Sequence, residues 1–342
     1  MLARIVTEAL WRTGALALTR PLRSDRLLVL RYHSVCADDT APEYVSSSIA
    51  VPVRAFDGQM RYLSRHFQCI SIDEAISSLR EKRAFERPSV VVTFDDGYRD
   101  NYEYALPILA QYRIPATIYL VSGVVGQGRV LWTSRLRYVL SRTPHRQLRS
   151  RVMPRPLALE SDSARAVAAR VLTNILNQLP AIEREAALED IAWTLDVPHV
   201  PPAAEWFLSG RQASEMRTYG ITFGAHTVTH PNLPGVPTAE AAAEVQQSRR
   251  DLERLLGTEV RHFSYPNSGA LHPHFNDGVV QQVIQAGYRS AVTSQPGPCH
   301  RATDVFRIPR LGINRSKSAL SRFGMFLEMN RLQFGIANGS HD

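Results

Sequence analysis

Two adjacent carboxylates, Asp95 and Asp96, follow directly after residues 90–94, the most strand-like run in the chain. Neighbouring side chains of a strand point in opposite directions, but Gly97 permits a turn that lets both carboxylates reach one site. Like charges this close repel each other unless a metal ion or another cation lies between them. The pair therefore indicates a cation site, although the hexapeptide TFDDGY alone is equally compatible with a turn or a helix cap.

Two histidines, His226 and His230, follow a second strand-like run that begins at residue 221. Histidines four residues apart lie on one face of a helical turn, which suits binding of a transition metal. The pair differs from the zinc-protease motif HExxH, because Thr227 stands where that motif has its glutamate. Such a pair alone is as often an accident of the core or surface. Combined with the Asp pair it predicts a His₂Asp metal site with open positions for water and substrate.

Two weaker signals also follow strand-like runs. The turn PNSG at residues 266–269 presents backbone N–H groups near Asn267 that can hold an oxyanion, although most such sequences are only turns. His33 follows the first strand-like run, and a lone histidine is more often structural. In a parallel barrel, however, the carboxyl ends of all strands lie on one face. All of these groups are therefore expected to meet there.

Short apolar runs alternate with helical patterns along most of the chain, which predicts an α/β fold with parallel strands. The eight candidate strands, near the number that closes a barrel, are residues 27–32, 69–72, 90–94, 116–121, 221–223, 262–265, 289–293 and 307–313. The candidate helices are residues 53–67, 72–79, 102–112, 238–256 and 276–286. Gly257 and Gly287 follow the last two and are typical stop signals.

The segment 126–210 breaks this alternation and predicts a helical insertion in a barrel formed by residues 26–125 and 211–330. One helix is expected to end at Pro180 and another to cover residues 182–195. The tail at 331–342 is expected to fray at its end. The insertion also contains an arginine-rich run, which predicts a solvated face. A site for anionic groups is the less favoured alternative. Its members are Arg135, Arg137, Arg142, Arg146, Arg149, Arg151 and Arg155.

Composition narrows the class of protein. A hydrophobic content of 44% over 342 residues excludes a disordered chain. The net charge of +8 comes from arginines scattered along the whole chain, which argues against nucleic-acid binding. Three cysteines without close spacing favour a reducing compartment and argue against a disulfide scaffold or a zinc ribbon.

The amino-terminal segment 1–25 is mildly apolar but is interrupted by Arg12. It fits neither a signal peptide nor a spanning helix. A helix packed on the domain is favoured over a basic amphipathic helix on an anionic membrane surface. We therefore expect a bacterial cytoplasmic protein. The alternative is a cytoplasmic protein that is in peripheral contact with the inner membrane.

The motifs TFDDGY, HTVTH and FSYPNSG, in this order, resemble those of the polysaccharide deacetylases, which share a NodB homology domain. The resemblance extends roughly from residue 27 to residue 315, apart from the insertion. It implies a distorted (β/α) barrel of seven to eight strands and a metal-dependent hydrolase that removes acetyl groups from N-acetylated sugars. It also implies that Asp96, His226 and His230 bind the metal, usually zinc, that Asp95 is the general base and that the turn at Asn267 binds the oxyanion.

The chain departs from the family pattern at two places. Ser264 stands where the third motif usually has arginine, and no Leu-x-x-His motif follows near residue 311. The opening LRYHSV resembles the poly-N-acetylglucosamine deacetylase subgroup, in which an early histidine enters the site. His33 is therefore the candidate acid, and Arg310 is the candidate replacement for the arginine beside Asp95. The other histidines in this region, His262, His272 and His274, are expected to be structural or to lie at the surface.

The expected function is metal-dependent deacetylation of an N-acetylated glycan, with Zn²⁺ or another divalent transition metal. A polymer, a lipid-linked precursor or a small amide all remain open as substrates. The departures from the family pattern favour one alternative, a catalytically silent glycan-binding relative. A nucleotide-sugar transferase that binds a metal diphosphate through Asp95 and Asp96 would leave His226 and His230 unexplained.

Overall fold

The computed structural model describes residues 26–37, 40–85, 87–125, 127–266 and 273–332. The predicted helix at 1–25, Asn267, His272 and the tail beyond residue 332 lie outside the described residues. The strands are β1 Leu27–Tyr32, β2 Ser34–Cys36, β3 Ala50–Pro52, β4 Gln68–Cys69, β5 Ser89–Phe94, β6 Ala116–Leu120, β7 Gln147–Leu148, β8 Leu157–Ala158, β9 Ile221–Ala225, β10 His262–Ser264, β11 Ser290–Val292 and β12 Leu311–Gly312.

The helices are α1 Val53–His66, α2 Ile72–Arg80, α3 Leu106–Tyr112, α4 Trp132–Arg142, α5 Asp162–Leu176, α6 Ala181–Thr194, α7 Ala203–Trp206, α8 Gly210–Arg217, α9 Thr238–Leu256, α10 Asp277–Gln285 and α11 Leu320–Leu332. A π-helical turn at Asn101–Ala105 leads into α3. Ser71 caps α2 by a reciprocal pair of hydrogen bonds with Glu74, and α9 ends at Gly257 in the left-handed region. Within the described elements, no helix has both the length and the apolar character needed to cross a membrane.

Eight strands form one parallel sheet in the order β11-β10-β9-β6-β5-β1-β12, with β4 beside the start of β5. The strands at the two ends of this order, β11 and β12, are linked by Ile308, which lies shortly before β12 in the chain. Its N–H donates to the carbonyl of Ala291 at 3.1 Å, and its carbonyl accepts from the N–H of Thr293 at 2.8 Å. The sheet therefore curls around on itself, and the predicted distorted (β/α) barrel of seven to eight strands is confirmed.

Alternation along the strands separates two environments. Leu28 and Leu30 of β1 belong to the large apolar core shared with the outer helices, whereas Leu27 and Val29 belong to a second cluster that also contains Val91. Side chains two residues apart lie on the same face of a strand. On the face that carries Leu27, Val29 and Val91, the positions at the strand ends are polar. They include Arg31, Thr93 and Asp95, so a polar layer lies above an apolar one.

The segment between β6 and β9 carries α4 to α7 and the antiparallel pair β7–β8. It has its own apolar cluster, which includes Trp132, Leu172, Leu188 and Trp206. The sequence pattern does not predict α4, because arginines obscure the narrow apolar face of Leu136, Val139 and Leu140. Nor does it predict α8, α11 or the short parallel pair β2–β3.

Candidate metal centre and catalytic pocket

Three side chains at the carboxyl ends of β5 and β9 converge on one buried point. The ligand atoms of Asp96, His226 and His230 all lie within 4.8 Å of one another. The Oδ1 atom of Asp96 is 3.8 Å from Nε2 of His226 and 3.6 Å from Nε2 of His230. Two imidazole nitrogens and one carboxylate oxygen are a donor set that suits a divalent transition metal.

The protonation of these groups supports that fit. The Nδ1 atom of His226 lies 2.7 Å from the carbonyl of Ser264 and donates to it, which leaves Nε2 free to bind a metal. Burial lowers the pKa of His226 and of His230, so both imidazoles are neutral. Burial, followed by the charge of Asp95, raises the pKa of Asp96 to about 7. A cation between these ligands would compensate the Asp96 carboxylate.

The turn that carries Asp96 is tightly constrained. Asp96 and Gly97 both adopt positive φ angles, 74° and 76°. A Cβ atom at Gly97 would lie 2.6 Å from the side chain of Leu120, so only glycine fits there without a shift. This turn directs Asp96 towards the histidines while Asp95 keeps its position in the barrel interior.

Asp95 forms a buried bidentate ion pair with Arg310. The NH1 and NH2 atoms of Arg310 each donate to one carboxylate oxygen of Asp95 at 2.7 Å. Arg310 also donates to the carbonyl of Thr293, to Thr93 Oγ1 and to Ser264 Oγ, so all of its N–H groups are used. Burial alone would raise the pKa of Asp95, but the guanidinium outweighs it and holds that pKa well below its usual range. Asp95 is therefore an oriented carboxylate.

His33 lies at the end of β1 and lines the same cavity as the three metal-ligand candidates. Its Nδ1 atom is buried and has no hydrogen-bond partner among the described residues. Burial, followed by the charge of Arg31, lowers the pKa of His33 to about 3. The imidazole is therefore neutral in the free pocket and must gain a proton before it can act as an acid.

The cavity above these groups has a volume of about 160 Å³. Its other walls come from the loop before β3 and from α4 and α5 of the insertion, through Ser46, Ser48, Thr133, Arg137 and Thr173. Four of these residues, Ser46, Ser48, Arg137 and Thr173, also line an outer cavity of about 850 Å³. A deep catalytic pocket thus opens into a larger cleft along the insertion.

The loop from His226 to His230 has a strained backbone, since Thr227 and His230 have φ angles of 66° and 58°. The carboxylate of Glu244 in α9 accepts hydrogen bonds from the N–H groups of Val228 and Thr229, at 2.7 and 2.9 Å. It also accepts one from the hydroxyl of Thr229. Glu244 therefore stabilises the loop that carries both histidines.

The insertion supports this loop from the other side. Trp132 Nε1 donates to the carbonyl of His230 at 3.0 Å, and Arg184 donates to the carbonyl and the hydroxyl of Thr229. The Arg184 guanidinium lies 5.2 Å from the centre of the Trp132 ring. Glu244, Trp132 and Arg184 are not predicted from the sequence, because no local pattern links them to the histidines.

The remaining histidines have other partners. His262 contacts Ser290 Oγ at 2.8 Å and Asp73 at 3.2 Å, outside the pocket. His274 Nε2 accepts from the N–H of Ser294 at 2.9 Å. The predicted oxyanion turn at Asn267 lies outside the described residues. The structure thus brings together Asp95, Asp96, His226, His230, His33 and Arg310.

The fold is a (β/α) barrel, and its site combines two histidines and an aspartate at the carboxyl ends of the strands. A family model described as polysaccharide deacetylase matches residues 82–291. The chain therefore belongs to the polysaccharide deacetylase family and is a hydrolase that acts on amide bonds.

Individual relatives agree with this assignment. The putative polysaccharide deacetylase YxkH of Bacillus subtilis is 21% identical over 89% of this chain and 76% of its own length. A poly-β-1,6-N-acetyl-D-glucosamine N-deacetylase of Staphylococcus epidermidis is 31% identical, but over only 29% of this chain and 37% of that protein.

Two solved structures share the fold at low sequence identity. The deacetylase PplD of Streptococcus pyogenes, in complex with acetate, has a TM-score of 0.58 and 19% identity over 90% of this chain and 99% of its own. IcaB from Ammonifex degensii has a TM-score of 0.57 and 17% identity over 90% and 98%.

Proposed function

We propose that this protein is a metal-dependent deacetylase that removes the acetyl group from an N-acetylated sugar of a polysaccharide or a lipid-linked glycan. One observation carries the proposal. The Asp95–Arg310 ion pair and the ligand set Asp96, His226 and His230 lie together at the floor of one pocket. A proton acceptor and a metal site in contact with the same small cavity are what hydrolysis of an acetamide requires.

A divalent transition metal at this site, with zinc as the expected ion, would supply a Lewis acid and lower the pKa of a water that binds it. Asp95, held ionised by Arg310, accepts the proton of the attacking water. Arg310 binds both oxygens of the Asp95 carboxylate through its two terminal nitrogens. It thereby fixes the direction from which the attacking water meets the carboxylate.

His33 is the proposed acid for the departing sugar amine. It borders the cavity, and its neutral state in the free pocket means that it can accept a proton during the reaction and then donate it. The backbone near Asn267 is proposed to hold the oxyanion of the tetrahedral intermediate.

The silent-relative alternative is not favoured by any observation in the site. It was motivated in part by the missing arginine of the third motif. Arg310 supplies a guanidinium to Asp95 from a different part of the chain, and Ser264 Oγ accepts from it at 2.9 Å. Arg310 thus supplies to Asp95 the guanidinium that the arginine of the third motif would otherwise supply.

The test is acetate release from N-acetylglucosamine oligomers by the purified protein, before and after chelation and after zinc is restored. We expect release that disappears with the chelator and returns with zinc. Tight metal binding without acetate release from polymeric or lipid-linked N-acetyl sugars would reject the proposal in favour of a binding protein.

For the location we propose the cytoplasm, with peripheral contact at the inner membrane as the less favoured alternative. The support is that Cys36, Cys69 and Cys299 are all free thiols, which is usual in a reducing compartment. Cell fractionation with an immunological tag decides the point, because recovery in the periplasm would contradict it.

A further inference from the structure

Two arginines, Arg31 and Arg137, face the catalytic pocket and have no acidic partner among the residues that the structure describes. Arg31 extends from the end of β1 into the polar layer and donates to the hydroxyl of Ser294. Its Nε atom is buried and has no hydrogen-bond partner in the described parts of the chain. Burial, followed by the charge of Arg310, lowers the pKa of Arg31 to about 10, so it still carries its charge at neutral pH.

Arg137 of α4 lies where the catalytic pocket meets the outer cleft, since it lines both cavities. It makes no hydrogen bond or ion pair with any described residue. Three other arginines of the same segment are paired: Arg135 with Glu189, Arg142 with Glu43 and Arg151 with Asp190. Arg137 is thus a half-buried guanidinium directed at the cavity.

The charges around the cavity do not balance when a metal is bound. Arg310 neutralises Asp95, and the metal would compensate Asp96. No other carboxylate of the described residues lines the pocket, so Arg31 and Arg137 stay uncompensated. The described residues that line the outer cleft include three arginines, Arg137, Arg165 and Arg170, and two carboxylates, Glu43 and Asp162. Glu43 is already paired with Arg142, so the lining keeps an excess of positive charge. A neutral N-acetylated polymer could accept hydrogen bonds from these guanidinium groups, but it would leave both charges without a counter-charge, whereas an anionic group forms the stronger charge-assisted hydrogen bonds.

We propose that the substrate carries an anionic group, a carboxylate or a phosphate, close to the N-acetyl group, and that Arg137 binds it where the pocket meets the cleft. Arg31, deeper in the pocket, adds to the same positive field. The arginine fork matches the geometry of both anions and binds either with two parallel hydrogen bonds. This inference rests on the proposed deacetylase function and names the substrate class of that site.

The experiment compares acetate release from three probes by the zinc-loaded protein. They are chitotetraose, a tetrasaccharide of alternating N-acetylglucosamine and glucuronic acid, and UDP-N-acetylglucosamine. We expect kcat/KM at low salt to be at least about tenfold higher for an anionic probe than for chitotetraose, the size of one charge-assisted hydrogen bond. A preference for the uronate probe identifies a carboxylate, and a preference for the nucleotide sugar identifies a phosphate.

Arg137→Gln is expected to raise KM for the preferred anionic probe about tenfold, with little change in kcat and little effect on chitotetraose. Arg146→Gln is the matched control, because Arg146 is exposed on the same segment and does not line either cavity. Equal kcat/KM for neutral and anionic probes, or an Arg137→Gln variant that keeps the preference, overturns the inference while the deacetylase function stands.

If no probe releases acetate, the deacetylase function fails, and calorimetry still tests the anion site. Metal-free protein is titrated with chitotetraose and with the two anionic probes. Tighter binding of an anionic probe that is lost in Arg137→Gln supports the site. Equal binding of all probes overturns it.

Discussion

Asp95 and Arg310 form a fully buried ion pair whose partners are 215 residues apart in the chain. A buried pair of this kind does not by itself stabilise a fold, because desolvation of two charges offsets their attraction. Its effect here is on the state of the carboxylate, since the guanidinium keeps Asp95 ionised and fixes its direction. The pair therefore fits the role of general base that we propose for Asp95.

Replacement of Asp95 by Asn tests this role. We expect kcat to fall by a factor of about 10² to 10⁴, the usual contribution of a general base, while bound metal stays near the wild-type level. Acetate release and metal content of the purified variant are the measurements. Asp73→Asn, which removes an outer partner of Arg261, is the control. Near-normal turnover by Asp95→Asn would show that another group takes the proton.

A second buried carboxyl, Asp100, gives a prediction for stability against pH. It accepts a hydrogen bond from Ser34 Oγ at the start of the π-helical turn, and burial raises its pKa from 3.8 to about 7. The folded protein therefore holds this proton more tightly than the unfolded chain does. The contribution of Asp100 to stability is present below about pH 4 and declines as the pH rises towards 7.

Asp100→Asn lacks this titration. Relative to wild type, its free energy of unfolding should increase between pH 4 and 7 by up to about 1.4 kcal/mol per pH unit. Urea denaturation of both proteins at several pH values gives the difference directly. A difference that is constant over this range would mean that Asp100 ionises normally in the folded state.

At the scale of elements, α9 stabilises the conformation of the loop from His226 to His230. Two residues of the loop that are not glycine have positive φ angles, each of which costs about 1–3 kcal/mol. The carboxylate of Glu244 compensates by accepting three hydrogen bonds from Val228 and Thr229. The helix therefore holds the two histidines in a geometry that the loop sequence does not favour on its own.

Glu244→Gln should weaken metal binding by about 10- to 100-fold, because an amide cannot accept from all three donors with its oxygen. A competition titration with a chelating indicator measures the affinity independently of catalysis. Glu253→Gln in the same helix is the matched control, since Glu253 pairs with Arg249 and lies away from the loop. Unchanged affinity in Glu244→Gln would contradict the positioning role.

For the whole molecule, metal binding should couple to stability, because the three ligands come from strands far apart in the chain and meet only in the folded state. At a free metal concentration of a hundred times Kd, the folded state gains about 2.7 kcal/mol. We expect a lower Tm after chelation and recovery on addition of zinc, measured by calorimetry. Asp96→Asn should show a much smaller response. An equal response in that variant would place the metal elsewhere.

The helical insertion forms part of the wall of the catalytic pocket. The predicted helices around Pro180 are present as α5 and α6, but α4 was missed, and with it the wall of the pocket. The arginine-rich run was interpreted mainly as a solvated face. That interpretation agrees with Arg142 and Arg151, which are exposed and paired, and disagrees with Arg137, which faces the cavity. The orientation of one arginine in such a run depends on where the helix packs.

Local patterns alone are sufficient for the eight strands of the barrel sheet, most outer helices and the groups at the strand ends. Asp95, Asp96, His226 and His230 follow their strands directly, and parallel strands place such positions on one face of a barrel. Arg310 is a candidate only through the family resemblance, and its contact with Asp95 is present in the structure. Glu244 and Arg137 are different, because their roles depend on contacts between segments distant in the chain. Closure of the barrel and packing of the insertion create those contacts, and a local sequence pattern carries no information about either.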